Sequence, residues 1–320
     1  MTPLLNQEFI KTVTRTNVYL KLENFQKTGS FKVRGAFNKI LTLSEEERRL
    51  GVVTASSGNH GAAIAYVGKI LGIPVTVVIP ENALDAKLRA IKGYGGQIVI
   101  CGRTSEERRT KAREIAKEKG KTFIHSYDDA QIIAGQGTVG YEILNQIKDV
   151  QAIVVPIGGG GLISGISLIK QRFPHIKVIG VEPVGSAGMR LSVTNNQISP
   201  FPNVQSIADG LKARAPGQLT FEVAKRYVDD FVTVKEEEIF NAMRLLLERG
   251  KILSEPSGAV TLAYTMRGGL KKDFEKVVCV ISGGNIGVDR LTELYKEREN
   301  LSEDGGVTNA LYQKGKKGQS

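Results

Sequence analysis

The chain has 320 residues, 41% hydrophobic and 24% charged, enough for two lobes and typical of a globular rather than a disordered protein. No twenty-residue apolar run and no signal-like start occur, so no membrane partner is expected and the chain reads as cytoplasmic. The net charge of +11 is mixed with acids throughout; residues 103–121 carry eight basic and four acidic side chains, which suits a solvated helix face better than a nucleic-acid surface. Only Cys101 and Cys279 are present, each in or beside an apolar run, which argues against a disulfide framework and for a reducing compartment.

In chain order, residues 18–22 predict a short strand followed by a polar turn at 23–26. A helix opens at Lys32 and runs toward Ile40, and Ser44 with Glu47 forms a capping box for a short helix. Strands at 52–55, 75–79, 98–100 and 122–124 then alternate with helices at 61–71, 84–91 and 106–118. That repeat predicts a small lobe with its own parallel sheet. Next come a helix at 132–146, an apolar strand at 152–157, four glycines, a helix at 162–170 and a strand at 177–182. Residues 183–215 read as a long irregular segment, and loops of that length inside a domain are usually functional. A strand at 231–234, a helix at 236–248 capped by Thr233 with Glu236, a helix at 256–266 and a strand at 277–281 complete the pattern.

The expected class is α/β with two lobes. Residues 41–127 form a parallel-sheet small domain, residues 1–40 and 128–300 a larger, discontinuous, mostly parallel-sheet domain, and residues 301–320 a frayed polar tail. Ligands in such folds lie beyond the carboxyl ends of the strands. Four unusual segments fall there, around Lys32, Ser56, Gly158 and Ser282.

Lys32 stands at a helix start among small and apolar neighbours, where desolvation favours the neutral amine that carbonyl chemistry needs. Gly158, Gly159, Gly160 and Gly161 join an apolar strand to a helix at Leu162. A backbone without Cβ atoms can close around an anion there, with free amides at the helix start pointing at it. Neither this loop nor residues 55–61 match a Walker loop or a dinucleotide fingerprint. Ser56, Ser57, Asn59 and the local amides are donors suited to a carboxylate, although simple capping by Ser57 or Asn59 would explain one of them. The three histidines, His60, His125 and His175, lack metal-ligand spacing, and each is read as structural by default.

Six motifs in order, at 22–32, 56–61, 134–138, the glycine loop, 254–259 and 282–285, resemble those of fold-type II pyridoxal-phosphate enzymes. Within that class the chain is similar to threonine/serine dehydratases and serine racemases over nearly its whole length. The resemblance implies that Lys32 forms the aldimine with pyridoxal 5'-phosphate and that Phe31 packs beneath the ring. It implies that Gly158 to Leu162 hold the phosphate, Asn59 bonds the ring hydroxyl, Ser282 faces the pyridine nitrogen, and Glu255 belongs to the cofactor site. Ser56, Ser57, Asn59 and His60 would surround the substrate carboxylate.

The implied reaction is dehydration of L-threonine or L-serine to a 2-oxo acid and ammonia by aldimine exchange, α-proton abstraction and β-elimination. Serine racemisation is the alternative, with Ser57 as the acid/base opposite Lys32. A non-enzymatic cofactor-carrying or nucleic-acid-binding protein is a third. Relatives pair as dimers or tetramers, and they usually carry a helix ahead of the 2–5 segment with which this sequence starts. The sequence also stops where regulated biosynthetic dehydratases continue into an effector domain, so isoleucine feedback is not expected. Cation-dependent members have an acid where this chain has Gly188, so Glu182 and the carbonyl of Ser186 would hold a divalent ion only with another donor's help.

Overall fold

A computed structural model of the chain describes residues 1–56, 58–81, 85–270 and 274–303. Residues 1–285 form one compact unit built on two sheets, and the described residues from 286 to 303 belong to a second. In order, the first unit comprises β1 (Leu4–Asn6), α1 (Glu8–Thr14), β2 (Asn17–Leu22), α2 (Lys32–Leu41), α3 (Glu45–Leu50), β3 (Val52–Ala55), α4 (Asn59–Leu71), β4 (Val75–Ile79), α5 (Asp85–Gly93), β5 (Gln97–Ile100), α6 (Ser105–Lys119), β6 (Thr122–Phe123) and α7 (Ala130–Gln146). It continues with β7 (Ala152–Pro156), α8 (Gly161–Ser167), β8 (Lys177–Pro183), α9 (Gly188–Thr194), α10 (Gln218–Tyr227), β9 (Asp230–Val234), α11 (Glu236–Glu248), α12 (Pro256–Met266) and β10 (Lys276–Ile281). In the second unit α13 spans Val288–Glu303, with Arg290 paired to Glu293 and Glu297 along one face. The helix therefore runs past residue 300, and the rest of the expected tail lies outside the described residues.

The six-stranded sheet has the order β1-β2-β10-β7-β8-β9, parallel throughout except for β1, which lies antiparallel along β2. The four-stranded sheet, β5-β4-β3-β6, is all parallel. β7 and all but the first residue of β10 are buried runs rich in Val and Ile, as expected where helices cover both faces of a parallel sheet. Around the larger sheet, Ile153, Val155, Val178, Val278 and Val280 pack with Val139 and Ile143 of α7 and Ile163 of α8. Around the smaller, Val52, Val77 and Ile79 pack with Ile64 of α4, Val33 and Ile40 of α2, and Ile132 of α7. One helix, α7, thus contributes to both cores. It meets α2 where Gly135 and Gly35 face each other, and the Gln136 Oε1 accepts from the Gly35 amide at 3.2 Å. That contact fixes the helix whose first residue is Lys32.

The capping box at Ser44 and Glu47 forms as expected. Three local expectations are corrected. β1 and α1 precede the first predicted strand. Residues 183–215 are not wholly irregular, because α9 and a short 3-10 turn at Asp209–Leu211 lie within them. Thr233 and Glu236 do not cap α11. Strand β9 runs through Val234, Glu238 reaches back to the Lys235 amide at 2.7 Å, and the Glu236 carboxylate instead accepts from the Ile207 amide at 2.7 Å.

Candidate active site

Lys32 begins α2, and the preceding amide of Phe31 donates to the Ser282 carbonyl at 3.1 Å, tying the helix start to the end of β10. The Lys32 Nζ donates to the Ser126 carbonyl at 2.8 Å and lies 5.1 Å from the centre of the Phe31 ring. Burial lowers its pKa from 10.5 to about 8, against the opposing pull of the Glu255 carboxylate. Placement at the first turn adds to this, since the positive helix end disfavours a cation there.

The residue after Ser126 links the lysine to the glycine loop. Tyr127 packs its ring against Gly159, where a Cβ would overlap it, and its Cβ against Gly161. Gly160 has φ +95°, a conformation that favours glycine. Thr220 of α10 holds the loop from the other side, its hydroxyl donating to the Gly159 carbonyl at 2.8 Å. Among the described residues, nothing accepts a hydrogen bond from the amides of Gly158 to Leu162. Five consecutive amides at the strand-to-helix turn are left to an outside acceptor.

Asn59, the first residue of α4, donates to Glu255 Oε1 at 2.7 Å and accepts from Asn285 at 2.8 Å, and Asn285 also donates to the Thr28 carbonyl at 2.8 Å. The Glu255 amide donates to the Gly283 carbonyl at 3.1 Å, and the Gly284 amide to the Gly29 carbonyl at 2.9 Å. These bonds interlock the segments at 27–32, 59, 254–259 and 282–285. The Ser282 hydroxyl is buried, 3.5 Å from the Ser257 carbonyl.

Ser56 directly follows β3, and its hydroxyl accepts from the Gly58 amide at 3.3 Å. Ser57 lies outside the described residues. His60 is buried, and among the described residues neither ring nitrogen has a hydrogen-bond partner in good geometry. Its pKa is held well below 6.5, first by burial and then by the charges of Lys32 and His125, which outweigh the favourable Ile124 backbone.

The structure therefore brings Phe31, Lys32, Asn59, Gly158 to Leu162, Glu255 and Ser282 into one chain of contacts, with His60 electrostatically coupled to Lys32. Glu182 and Ser186 bond residues outside that chain of contacts. The Glu182 carboxylate accepts from the Met189 and Arg190 amides at 2.9 and 2.8 Å, and the Ser186 hydroxyl donates to the Leu211 carbonyl at 2.8 Å. A Cβ at Gly188 would lie 2.6 Å from the Arg214 carbonyl, so the backbone has no room for an acidic side chain there. Among the described residues no three His, Cys, Asp or Glu side chains cluster as a metal would require.

Sequence reasoning assigned no role to Ser126, Tyr127 or Thr220. Each acts through a backbone carbonyl or a packing contact with a residue at least 32 positions away, and no local pattern announces such a contact.

The donors suit an anionic, phosphate-bearing aldehyde. Free amides are ready for the phosphate, a partly deprotonated amine for the carbonyl, and the orphaned nitrogens of His60 offer further polar contact. Comparison with known proteins agrees. Residues 1–283 match the family model described as pyridoxal-phosphate dependent enzyme. The catabolic L-threonine dehydratase TdcB of Staphylococcus aureus is 43% identical over 307 residues, covering 94% of this chain and 89% of its own. Maize serine racemase superposes with a TM-score of 0.88 at 38% identity, covering 94% of this chain and 93% of that one. The processed form of threonine deaminase isoform 2 from Solanum lycopersicum superposes at 0.87 and 36% identity, covering 92% and 87%.

Proposed function

The chain belongs to the family of pyridoxal-phosphate dependent enzymes, and from that membership we propose that it is an ammonia-lyase converting L-threonine, L-serine or both to 2-oxobutanoate or pyruvate and ammonia. The observation that carries the reading is the Lys32 amine, half-buried at the head of α2 and joined through Ser126 and Tyr127 to a glycine loop whose amides no described residue uses. The likeness to dehydratases over most of both chains supports the choice of reaction.

Pyridoxal phosphate, when bound, supplies an electron sink that makes bonds at the substrate α-carbon easier to break. The amides of Gly158 to Leu162 would hold its phosphate, aided by the N-terminus of α8. Phe31 would pack against it, and Asn59, held in place by Glu255 and Asn285, would bond the ring hydroxyl. Ser282 would present a neutral hydroxyl to the ring nitrogen of the cofactor, and a hydroxyl cannot hold that nitrogen protonated as a carboxylate would, which sets the strength of the electron sink. Ser56, Ser57, Asn59 and His60 receive the substrate carboxylate.

Lys32 is the general base. With a pKa of about 8, roughly a tenth of its Nζ is neutral at pH 7 and able to take the α-proton. In this reading the four-stranded sheet carries the substrate side of the site and the six-stranded sheet the cofactor side, with residues 41–127 as the substrate domain. We place the enzyme in the cytoplasm, where its two cysteines, both free, stay reduced, and expect a dimer or tetramer.

Purified enzyme given L-threonine or L-serine should release 2-oxo acid and ammonia, and Lys32→Ala should abolish this together with the visible absorbance of bound cofactor. Racemisation is the second reading, favoured by the likeness to maize serine racemase. Dominant D-serine with little pyruvate in the same assay would put it first.

A further inference from the structure

Residues 126–129 each hold a different part of the molecule. The Ser126 carbonyl holds the Lys32 amine, the Tyr127 ring lies on the glycine loop, and the Asp128 carboxylate accepts from the Gln218, Leu219 and Thr220 amides at the start of α10. Asp129 caps α7 and pairs with Lys39 at 2.7 Å. What folds this short segment is the side chain at its head. His125 Nδ1 accepts from the Asp128 amide at 2.8 Å and, more weakly, from the Tyr127 amide at 3.4 Å.

We infer that His125 is a positioning residue for the site, its Nδ1 acceptor bending residues 125–128 into the turn that aims the Ser126 carbonyl at Lys32 and the Tyr127 ring at the glycine loop. The geometry is that of an Asx turn. Nδ1 occupies the same δ position as the Oδ1 of Asn or Asp, whose oxygens bond amides two or three residues on and so mimic a backbone turn. An accepting Nδ1 carries no proton, so the neutral ring has its proton on Nε2.

The surroundings keep the ring neutral. Burial comes first in lowering its pKa to about 4. The Asp128 carboxylate opposes this, while Arg109 and Arg113 of α6 and Lys32 of α2 reinforce it. A protonated Nδ1 would face the Asp128 amide donor to donor, so neutrality is what the turn requires. The ring also meets Tyr127 edge-on, centroids 4.6 Å apart at 84°. Packing and hydrogen bonding are therefore both candidates for its contribution, and two substitutions separate them.

His125→Asn keeps a δ acceptor without the ring, whereas His125→Phe keeps a ring without the acceptor. The inference rests on the reading that Lys32 and the glycine loop hold the cofactor. That premise is checked first in the wild type, by borohydride reduction and mapping of the labelled peptide; label elsewhere than Lys32 overturns the reading itself. With the premise met, equilibrium affinity of the apoenzyme for pyridoxal phosphate is measured for each variant, together with kcat and KM.

Losing this half-buried acceptor should weaken cofactor affinity in His125→Phe by about tenfold or more, with kcat falling and substrate KM little changed. His125→Asn should recover most of both. Equal loss in the two variants, or the opposite ranking, overturns the inference. If His125→Phe does not fold, His125→Asn alone decides, since a variant of normal thermal stability with weak cofactor binding would show that the acceptor is not what positions the turn.

Discussion

The ring of Tyr127 occupies the space that a side chain on Gly159 would need. The glycine loop is thus shaped as much by what lies on it as by its own freedom, and Gly159→Ala should lower both thermal stability and affinity for pyridoxal phosphate. A core overpacked by one methyl typically costs about 1–3 kcal/mol. Adding Tyr127→Ala to Gly159→Ala should restore much of the stability, because it removes the obstacle. A double variant as unstable as the sum of the two single ones would show that the clash is not the cause.

Lys32 should be the most reactive lysine of the apoenzyme toward an acylating reagent near pH 8. The side chain becomes nucleophilic as pH rises through about 8, whereas an ordinary lysine needs about 10.4. Peptide mapping after limited labelling across pH 6 to 10 reads this directly. A midpoint above 10 at Lys32 would show that the amine is well solvated and cationic.

The same burial carries a cost in stability with a defined pH window. Because the folded pKa of about 8 lies below the ordinary 10.5, the unfolded chain binds more protons between those values, and stability rises with pH across that range. Lys32→Met removes the buried cation. In urea the apo variant should be more stable than the wild type at pH 7, by at most ~3 kcal/mol because solvent still reaches part of the side chain. The advantage should fade by pH 10.5. An apo variant less stable than the wild type at pH 7 would contradict the account.

Glu142 of α7 sits in a cluster with Lys21 at 2.6 Å and Arg34 at 2.8 Å, both nearly inaccessible to solvent. Burial alone would raise its pKa, but the hydrogen bonds from Arg34, Lys21 and the Thr2 amide prevail and hold it at about 2. The stability this contributes is complete above the ordinary value of 4.5 and is lost as pH falls through about 2. Glu142→Gln should therefore cost about 3 kcal/mol at pH 7, since it strands buried positive charge. The deficit should shrink steadily between pH 4.5 and 2 in chemical denaturation; a constant deficit would assign it to packing.

Much of this architecture could be read in advance because its signals are local. The apolar runs at 52–55, 75–79, 152–157 and 277–281 have the length and β-branched content of buried parallel strands, and all four form, the third ending at Pro156. Ser44 and Glu47 announce a helix start within four residues. Glu236 misled because its carboxylate bonds Ile207, 29 residues away, rather than its own helix. Strand β1 is three residues long, and only its pairing with β2 makes it a strand. In the site, Lys32 and the four glycines stand out by residue type, whereas Ser126 contributes a carbonyl that every residue possesses. His125 was legible as a residue but not as an acceptor, because its role depends on the turn it creates.

Strand β2, which leads into the lysine segment, has β10 as its parallel neighbour, and β10 ends at Ile281. During synthesis every strand of the four-stranded sheet has been translated by Phe123, but β2 waits for its partner about 10–30 s more at usual elongation rates. Nascent chains halted before residue 276 thus lack the strand that closes the larger sheet. The reactive amine is translated early and housed last, so a partly made chain has no finished cradle in which to trap an aldehyde.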